Sequence, residues 1–326
     1  MRIKSVLIAV ALSCGAGTAI AQTVPVADIP VTVDNVPYAP PETVQRVATP
    51  NNPAEALLKV LIISGQNSYE HDWTGVNNRL RTQLKDTGRF DVRVTEDFDD
   101  GTLAMLKKYD VVILNYSSRW NYADQKQHVW SDAAFKALYD YVAQGGGLVA
   151  YHSSFTWGRD IPEYRKLIGA VMVPGISRRS PPDAFTIEIV DREHPITQGL
   201  RRYHWNFMED KYTNMVFDPE AKVHVLATAI DDPADYAPER AGPKYDPKAY
   251  APDQLKKMGG MGKPNPQVWV QNYGKGRVFS ITLGHGPDTI QYDGFKTLFA
   301  RGTEWAATGK VTIKPYDKAA EFTVGK

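Results

Sequence analysis

The sequence predicts an α/β fold with a mostly parallel central sheet, and three observations carry that expectation. Largely apolar runs of strand length recur at residues 59–64, 110–115, 148–151 and 278–283. Such runs suit strands covered on both faces. Stretches of helical period lie between the first three, and strands that alternate with helices imply right-handed crossovers and parallel pairing. The third observation is where the runs stop. Residues 148–151 stop on His152, residues 278–283 run into Gly284-His285-Gly286, and the first run leads through Gly65 to His71. In an open α/β sheet the carboxyl ends of the strands form the ligand crevice.

At 326 residues and 43% hydrophobic content the chain has material for one large core or two modest ones. The 38 basic and 37 acidic side chains balance, and the sequence offers no basic patch of the kind nucleic acid or an anionic membrane needs. Residues 1–21 read as a signal peptide. Arg2 and Lys4 form its basic region, residues 6–12 its apolar region, and Ala19-Ile20-Ala21 its small-x-small end, so cleavage is expected before Gln22. The apolar stretch is too short to span a bilayer. A periplasmic or secreted protein without an integral membrane segment in the mature chain is the expectation. A lipoprotein signal at Cys14 would prefer leucine where Ala11 stands. Cys14 is the only cysteine, so the mature chain has no disulfide, thiolate nucleophile or cysteine-ligated metal.

Residues 22–57 carry many prolines and read as an extended arm. Residues 59–64 form the first strand. Thr74 is placed to cap a helix over 75–85, with Val76, Leu80 and Leu84 on one face. Residues 90–95 alternate as a second strand, 101–106 form a short helix and 110–115 a third strand. Ser131 or Asp132 starts a helix that Gly145, Gly146 and Gly147 end. After the strand at 148–151 the pattern changes. Pro162 opens a helix to residue 168, and 185–190 and 223–229 read as strands. Residues 231–266 hold seven prolines without a clear period, and so read as a long surface excursion that borders the pocket. Residues 267–271 and 277–283 read as adjacent strands around a tight turn at Gly274-Lys275-Gly276, and 295–307 as a closing helix. The domain is expected over 58–312, with a tail at 313–326.

His71, His152 and His285 are the candidates for acid/base work or for ligating a metal, because each follows a strand exit. Glycines on both sides of His285 let a ligand or backbone come close. Glu209 is added as a carboxylate facing the pocket, preferred over Asp210. Candidates for holding substrate are Gln66, Asn67, Trp73, Arg119, Ser153 and Trp157. Aromatic rings and polar groups at this rim suit the apolar faces and hydroxyls of a sugar, and Arg119 suits an oxyanion. His128, His194 and His224 read as ordinary turn, loop or strand residues, and His204 falls in an aromatic segment. Ser153 lacks the flanking glycines of a nucleophile elbow. No Gly-x-Gly-x-x-Gly or Gly-Lys-Ser/Thr loop is present, which argues against nucleotide binding. No cofactor is fixed by these residues, though a divalent metal would suit the histidines.

Several segments together resemble the ThuA-like (trehalose utilisation) family. They are Val60-Leu-Ile-Ile-Ser-Gly-Gln-Asn67 with His71-Asp-Trp73, Gly146-Gly-Leu-Val-Ala-Tyr-His152, Glu163-Tyr-Arg-Lys-Leu-Ile-Gly169 and His194-Pro-Ile-Thr-Gln-Gly-Leu200. Val225-Leu-Ala-Thr228, Gly274-Lys-Gly-Arg-Val-Phe279, Leu283-Gly-His285 and Arg301-Gly-Thr-Glu-Trp305 extend the likeness over about residues 58–312. The resemblance implies a flavodoxin-like sandwich akin to class I glutamine amidotransferases. It implies a role in sugar utilisation, linked to trehalose and to 3-keto-sugar derivatives. In amidotransferases a cysteine occupies the strand-to-helix elbow. Here the corresponding stretch is Tyr151-His152-Ser153, so glutaminase activity is not implied. The expected function is an exported enzyme acting on a keto-glycoside or disaccharide derivative, by elimination, isomerisation or hydrolysis. The alternative is a non-catalytic carbohydrate-binding protein. The expected partner is a small-molecule carbohydrate, and a homo-oligomer is left open.

Overall fold

The computed structural model of the chain describes residues 56–65, 71–117, 119–121, 126–128, 130–237 and 250–316. The expected leader, the arm through residue 55 and the tail beyond residue 316 lie outside the described residues. The first half of the domain alternates as the sequence does. Leu58–Ile63 (β1) leads to Trp73–Asp86 (α1), Phe90–Thr95 (β2), Leu103–Leu106 (α2), Val111–Leu114 (β3), Asp132–Ala143 (α3) and Gly147–Tyr151 (β4). Pro162–Ile168 (α4) follows. Then come Asp183–Ile189 (β5), Tyr203–Glu209 (β6), His224–Ile230 (β7), Pro252–Leu255 (α5), Pro264–Tyr273 (β8), Gly276–Ile281 (β9) and Asp293–Thr308 (α6). Among the described residues no helix is long and apolar enough to cross a membrane.

The cap of α1 differs from the sequence expectation. Asp72, not Thr74, caps the helix, and its carboxylate accepts the Gly75 amide at 2.9 Å. A carboxylate at this position satisfies an otherwise unpaired amide and suits the positive end of the helix dipole. The helix therefore starts right after His71 and fixes that residue at its entrance. Of the stretch 231–266, residues 238–249 lie outside the described residues, and the rest is more regular than its prolines suggest. It contains a turn of 3-10 helix at Pro233–Tyr236 and α5, and its last residues already belong to β8.

The nine strands form one mixed sheet in the order β6-β5-β7-β8-β9-β4-β3-β1-β2. Pairings from β2 through β1, β3 and β4 to β9 are parallel, and those from β9 through β8, β7 and β5 to β6 are antiparallel. Only β5 and β8 run against the others, so β1, β3, β4, β6 and β9 all end on the same edge. Side chains alternate across the sheet with a period of two residues. Val60 and Ile62 pack with Leu80 of α1 and with Phe295 and Phe299 of α6. Leu61 and Ile63 pack on the other face with Leu138 of α3 and Leu167 of α4. Each fully buried aliphatic side chain contributes on the order of 1.5–3 kcal/mol relative to exposure, and both faces of the sheet are lined with them.

The antiparallel extension does not lie flat. Three strands separate β6 from β9, which in a flat sheet would put them roughly 19 Å apart at about 4.8 Å per step. Yet Glu209 at the end of β6 accepts the amide of Gly284, just beyond β9, at 2.7 Å. The extension therefore curls back and delivers the end of β6 to the carboxyl edge of the parallel strands.

Candidate active site

His152 sits at the turn out of β4, as the first residue of a 3-10 turn, His152–Phe155. Its φ of 29° is a conformation that side chains rarely adopt, and among the described residues only Asn214 shares a positive φ without being glycine. Such a residue costs on the order of 1–3 kcal/mol and persists where its surroundings fix it. Here a closed ring of hydrogen bonds does so. His152 Nδ1 donates to the Thr282 carbonyl at 2.6 Å, and Thr282 Oγ1 donates to Gln267 Oε1 at 2.5 Å. Gln267 Nε2 donates to the Tyr212 carbonyl at 2.9 Å, and the Tyr212 hydroxyl reaches His152 Nε2 at 3.1 Å. All four residues are buried.

This ring settles the chemistry of His152. A carbonyl oxygen only accepts, so Nδ1 carries the proton and the neutral ring presents its lone pair at Nε2. Burial, ahead of the other influences, lowers the imidazole pKa well below its ordinary value and keeps it neutral. Burial likewise holds the Tyr212 phenol well above its usual range, with Asp210 adding to the effect. Tyr212 is therefore a hydrogen-bond donor.

The other two histidines gather around His152. His71 Nε2 lies 3.2 Å from His152 Nε2. The ring centroids of His71, His152 and His285 stand 4.8–5.3 Å from one another. One ligand nitrogen from each falls within 4.8 Å of the others. The elements explain this meeting. His71 precedes α1, His152 follows β4 and His285 follows β9, so three elements end on one edge of the sheet.

Two buried carboxylates back the cluster in different ways. Glu209 accepts the backbone amides of Gly284 at 2.7 Å and His285 at 3.2 Å. It fixes the turn that carries His285. Gly284 takes φ +116°, and a Cβ there would fall 2.0 Å from the Tyr151 hydroxyl oxygen, so only glycine fits. Asp210 stands 3.4 Å from His285 Nδ1 and 3.7 Å from Arg179 Nε. Burial and then the Asp210 charge push the Glu209 carboxyl well above the usual range. Burial would raise Asp210 too, but contact with His285 and the neighbouring positive charges, Arg179 contributing least, outweigh it and hold this carboxyl below the usual range.

The three histidines expected from the strand exits thus come together, and Glu209 stands behind His285. Other expected residues do not join them. Trp157 is fully buried, its rings 4.6–5.2 Å from those of Tyr164, Tyr116 and Trp130, and its Nε1 donates to the Tyr116 carbonyl at 2.7 Å. It is a core residue and not part of a sugar platform. Ser153 is buried, and its Oγ has no hydrogen-bond partner to act as a base. Trp73 opens α1, half-buried. Arg119 lies in a short strand, Arg119–Asn121, and its side chain is outside the described residues, as are Gln66 and Asn67 entirely. Sequence reasoning missed Tyr212, Gln267, Thr282 and Arg179. Tyr212 and Arg179 meet on a two-stranded ribbon, Arg178–Arg179 against Tyr212–Thr213, too short to leave a periodic signal.

A cleft of about 250 Å³ opens beside the cluster, lined by His71, Ser117, Thr156, Arg159, Ser177 and Arg179 among others. A larger one of about 440 Å³, lined by His194, His224 and Trp305, shares no residue with the cluster. There His224 pairs with Asp191 at 2.7 Å, and His194 Nδ1 accepts the Ile196 amide, as ordinary surface residues do.

The sequence model of the family described as trehalose utilisation (ThuA) matches residues 59–306. Similar folds are found in two solved structures of ThuA-like proteins. That from Parabacteroides merdae has a TM-score of 0.63 and 24% identity, covering 81% of this chain and 94% of its own. That from Bacteroides uniformis has a TM-score of 0.58 and 22% identity, covering 81% of this chain and 97% of its own. At such identities the likeness is one of fold. Among curated proteins none matches.

Proposed function

Since the chain belongs to the ThuA family of trehalose utilisation, we propose that it is a carbohydrate-acting enzyme whose reacting centre is the cluster of His71, His152 and His285. The observation that carries this is the convergence of three ligand nitrogens within 4.8 Å at the carboxyl edge of the sheet. The donor set suits a divalent cation, provided that the Tyr212 hydroxyl gives up the His152 Nε2 lone pair, which it meets at 3.1 Å. Two nitrogens each about 2.0 Å from a tetrahedral ion stand roughly 3.3 Å apart, and those of His71 and His152 are 3.2 Å apart. Three histidines that leave a fourth position for substrate are the donors of a catalytic site. A cation held there supplies Lewis acidity toward a sugar oxygen.

The chain's own groups divide the remaining work. Thr282 fixes the tautomer of His152, as an outer partner of a ligand histidine does, and the Asp210 carboxylate stands 3.4 Å behind His285 Nδ1. Glu209 is a positioning residue, acting through the Gly284–His285 backbone. Asp210 as base and Tyr212 as acid are the candidates nearest the histidines, both buried behind the cluster. A keto-glycoside is the substrate that uses both. Its carbonyl acidifies the neighbouring C–H bond, and departure of the glycosidic oxygen needs an acid. Residues 1–21 have the pattern of an export leader, so the enzyme acts outside the cytoplasm, and a mature N-terminus at Gln22 by mass spectrometry would bear this out.

The test offers purified protein a 3-keto-glycoside and its unoxidised parent, with zinc and with a chelator. Consumption of the keto compound that is lost on chelation and in Asp210→Asn is expected. Binding of both sugars with turnover of neither would replace the enzyme with a carbohydrate-binding protein.

A further inference from the structure

The cleft beside the histidines has a one-sided charge. Arg159 and Arg179 line it with His71 and the hydroxyl-bearing Ser117, Thr156 and Ser177, and among the described residues no acidic side chain lines it. The chain as a whole is nearly neutral, at +1, so the positive lining is a local feature of this cleft.

The two guanidinium groups differ in how they are held. Arg179 stands 3.7 Å from the buried Asp210, so part of its charge serves the reacting centre. Arg159 meets Asp160 through Nε at 3.6 Å, with the aspartate side chain 91% exposed. A solvated contact of this length is weak, and exchanging it for a ligand sacrifices little. The base of Arg159 is rigid. Trp157 is fully buried, and Gly158 takes φ +69° with a Cβ position 2.4 Å from the Tyr164 ring. The Ile161 amide then closes the turn on the Gly158 carbonyl at 3.0 Å. A planar guanidinium on a fixed turn is suited to paired hydrogen bonds with a carboxylate or phosphate.

We infer that this cleft takes a sugar bearing an anionic group, with Arg159 as the principal anion contact and Arg179 beside it. The inference rests on the carbohydrate function proposed above and narrows its substrate class to acidic sugars. The Ser117 hydroxyl is then left to the neutral part of the ring, those of Thr156 and Ser177 already donating to the Ser153 and Asn214 carbonyls.

Titration calorimetry of the full chain with D-glucose, D-glucuronate and D-glucose 6-phosphate tests it. The first two differ at one carbon, and the third separates a phosphate from a carboxylate. At low salt, one of the two acids is expected to bind at least about tenfold more tightly than glucose, and the preference should shrink as salt is added. In Arg159→Gln the ratio of acid to glucose affinity falls toward one, while Arg159→Lys keeps part of it. Melting temperatures of both variants establish that they fold. Glucose bound as tightly as both acids overturns the inference and leaves the carbohydrate function standing. Binding of none of the three overturns both. A preference that survives intact in folded Arg159→Gln also overturns the inference.

Discussion

The carbonyl oxygen of Thr282 lies 2.6 Å from His152 Nδ1, and this contact decides which nitrogen of the central histidine faces its neighbours. With Nδ1 donating, the lone pair at Nε2 is aimed at His71 and Tyr212. The same contact ties β4 to the residue that follows β9, so the sheet register itself sets the histidine.

His152 and His285 should therefore respond differently to truncation. His152→Ala leaves the Thr282 carbonyl and the Tyr212 hydroxyl buried without partners, at a cost of about 1–3 kcal/mol for each such group. The His285 side chain is 27% exposed, and its removal should cost much less. Denaturant unfolding of both variants measures the difference, alongside loss of turnover in each. Equal stabilities would show that the ring of hydrogen bonds is not what holds His152.

Gln267 closes that ring by bridging Thr282 and Tyr212. Gln267→Leu should lower stability by about 1–3 kcal/mol. It should also weaken zinc affinity, because Thr282, the direct outer partner of His152, loses its support. A merely structural role would move the first readout and leave the second unchanged.

Two buried groups give opposite dependences on pH. Burial lowers the His152 pKa well below 6.5. The unfolded chain then takes up this proton first, so stability is lost as pH falls below about 6.5. Burial, and next Asp210, raise Glu209 well above 4.5. The folded state retains a proton that the unfolded chain releases, so this contribution is complete below about 4.5 and is lost as pH rises toward the folded value. Melting temperature against pH should show a flatter acid limb in His152→Asn and a smaller loss above pH 4.5 in Glu209→Gln. Unchanged profiles would mean that neither group is perturbed as its burial implies.

Much of this was legible in the sequence, for physical reasons that also mark where reading stops. Largely apolar β1, β3 and β4 announce themselves because both faces are covered, and their exits lead to His71 and His152. Residues 203–209 gave no strand signal, because their aromatic and polar residues neither alternate cleanly nor form an apolar run. Yet β6 is the strand that curls back to bring Glu209 and Asp210 to the cluster. Trp157 illustrates the converse. A tryptophan near a strand exit reads as a ring for sugar, and only packing against Tyr116, Trp130 and Tyr164 reveals it as core. Tyr212 and Gln267 depend on contacts across 60 and 55 residues, which local pattern does not carry.

The most direct test of the histidine centre is a zinc titration of chelator-treated protein by calorimetry. One equivalent per chain is expected for the wild type, with binding weakened by orders of magnitude in His71→Ala and His285→Ala, whose folding is checked by circular dichroism. A wild-type chain that takes up no zinc, or histidine variants that bind it as tightly, would contradict the account.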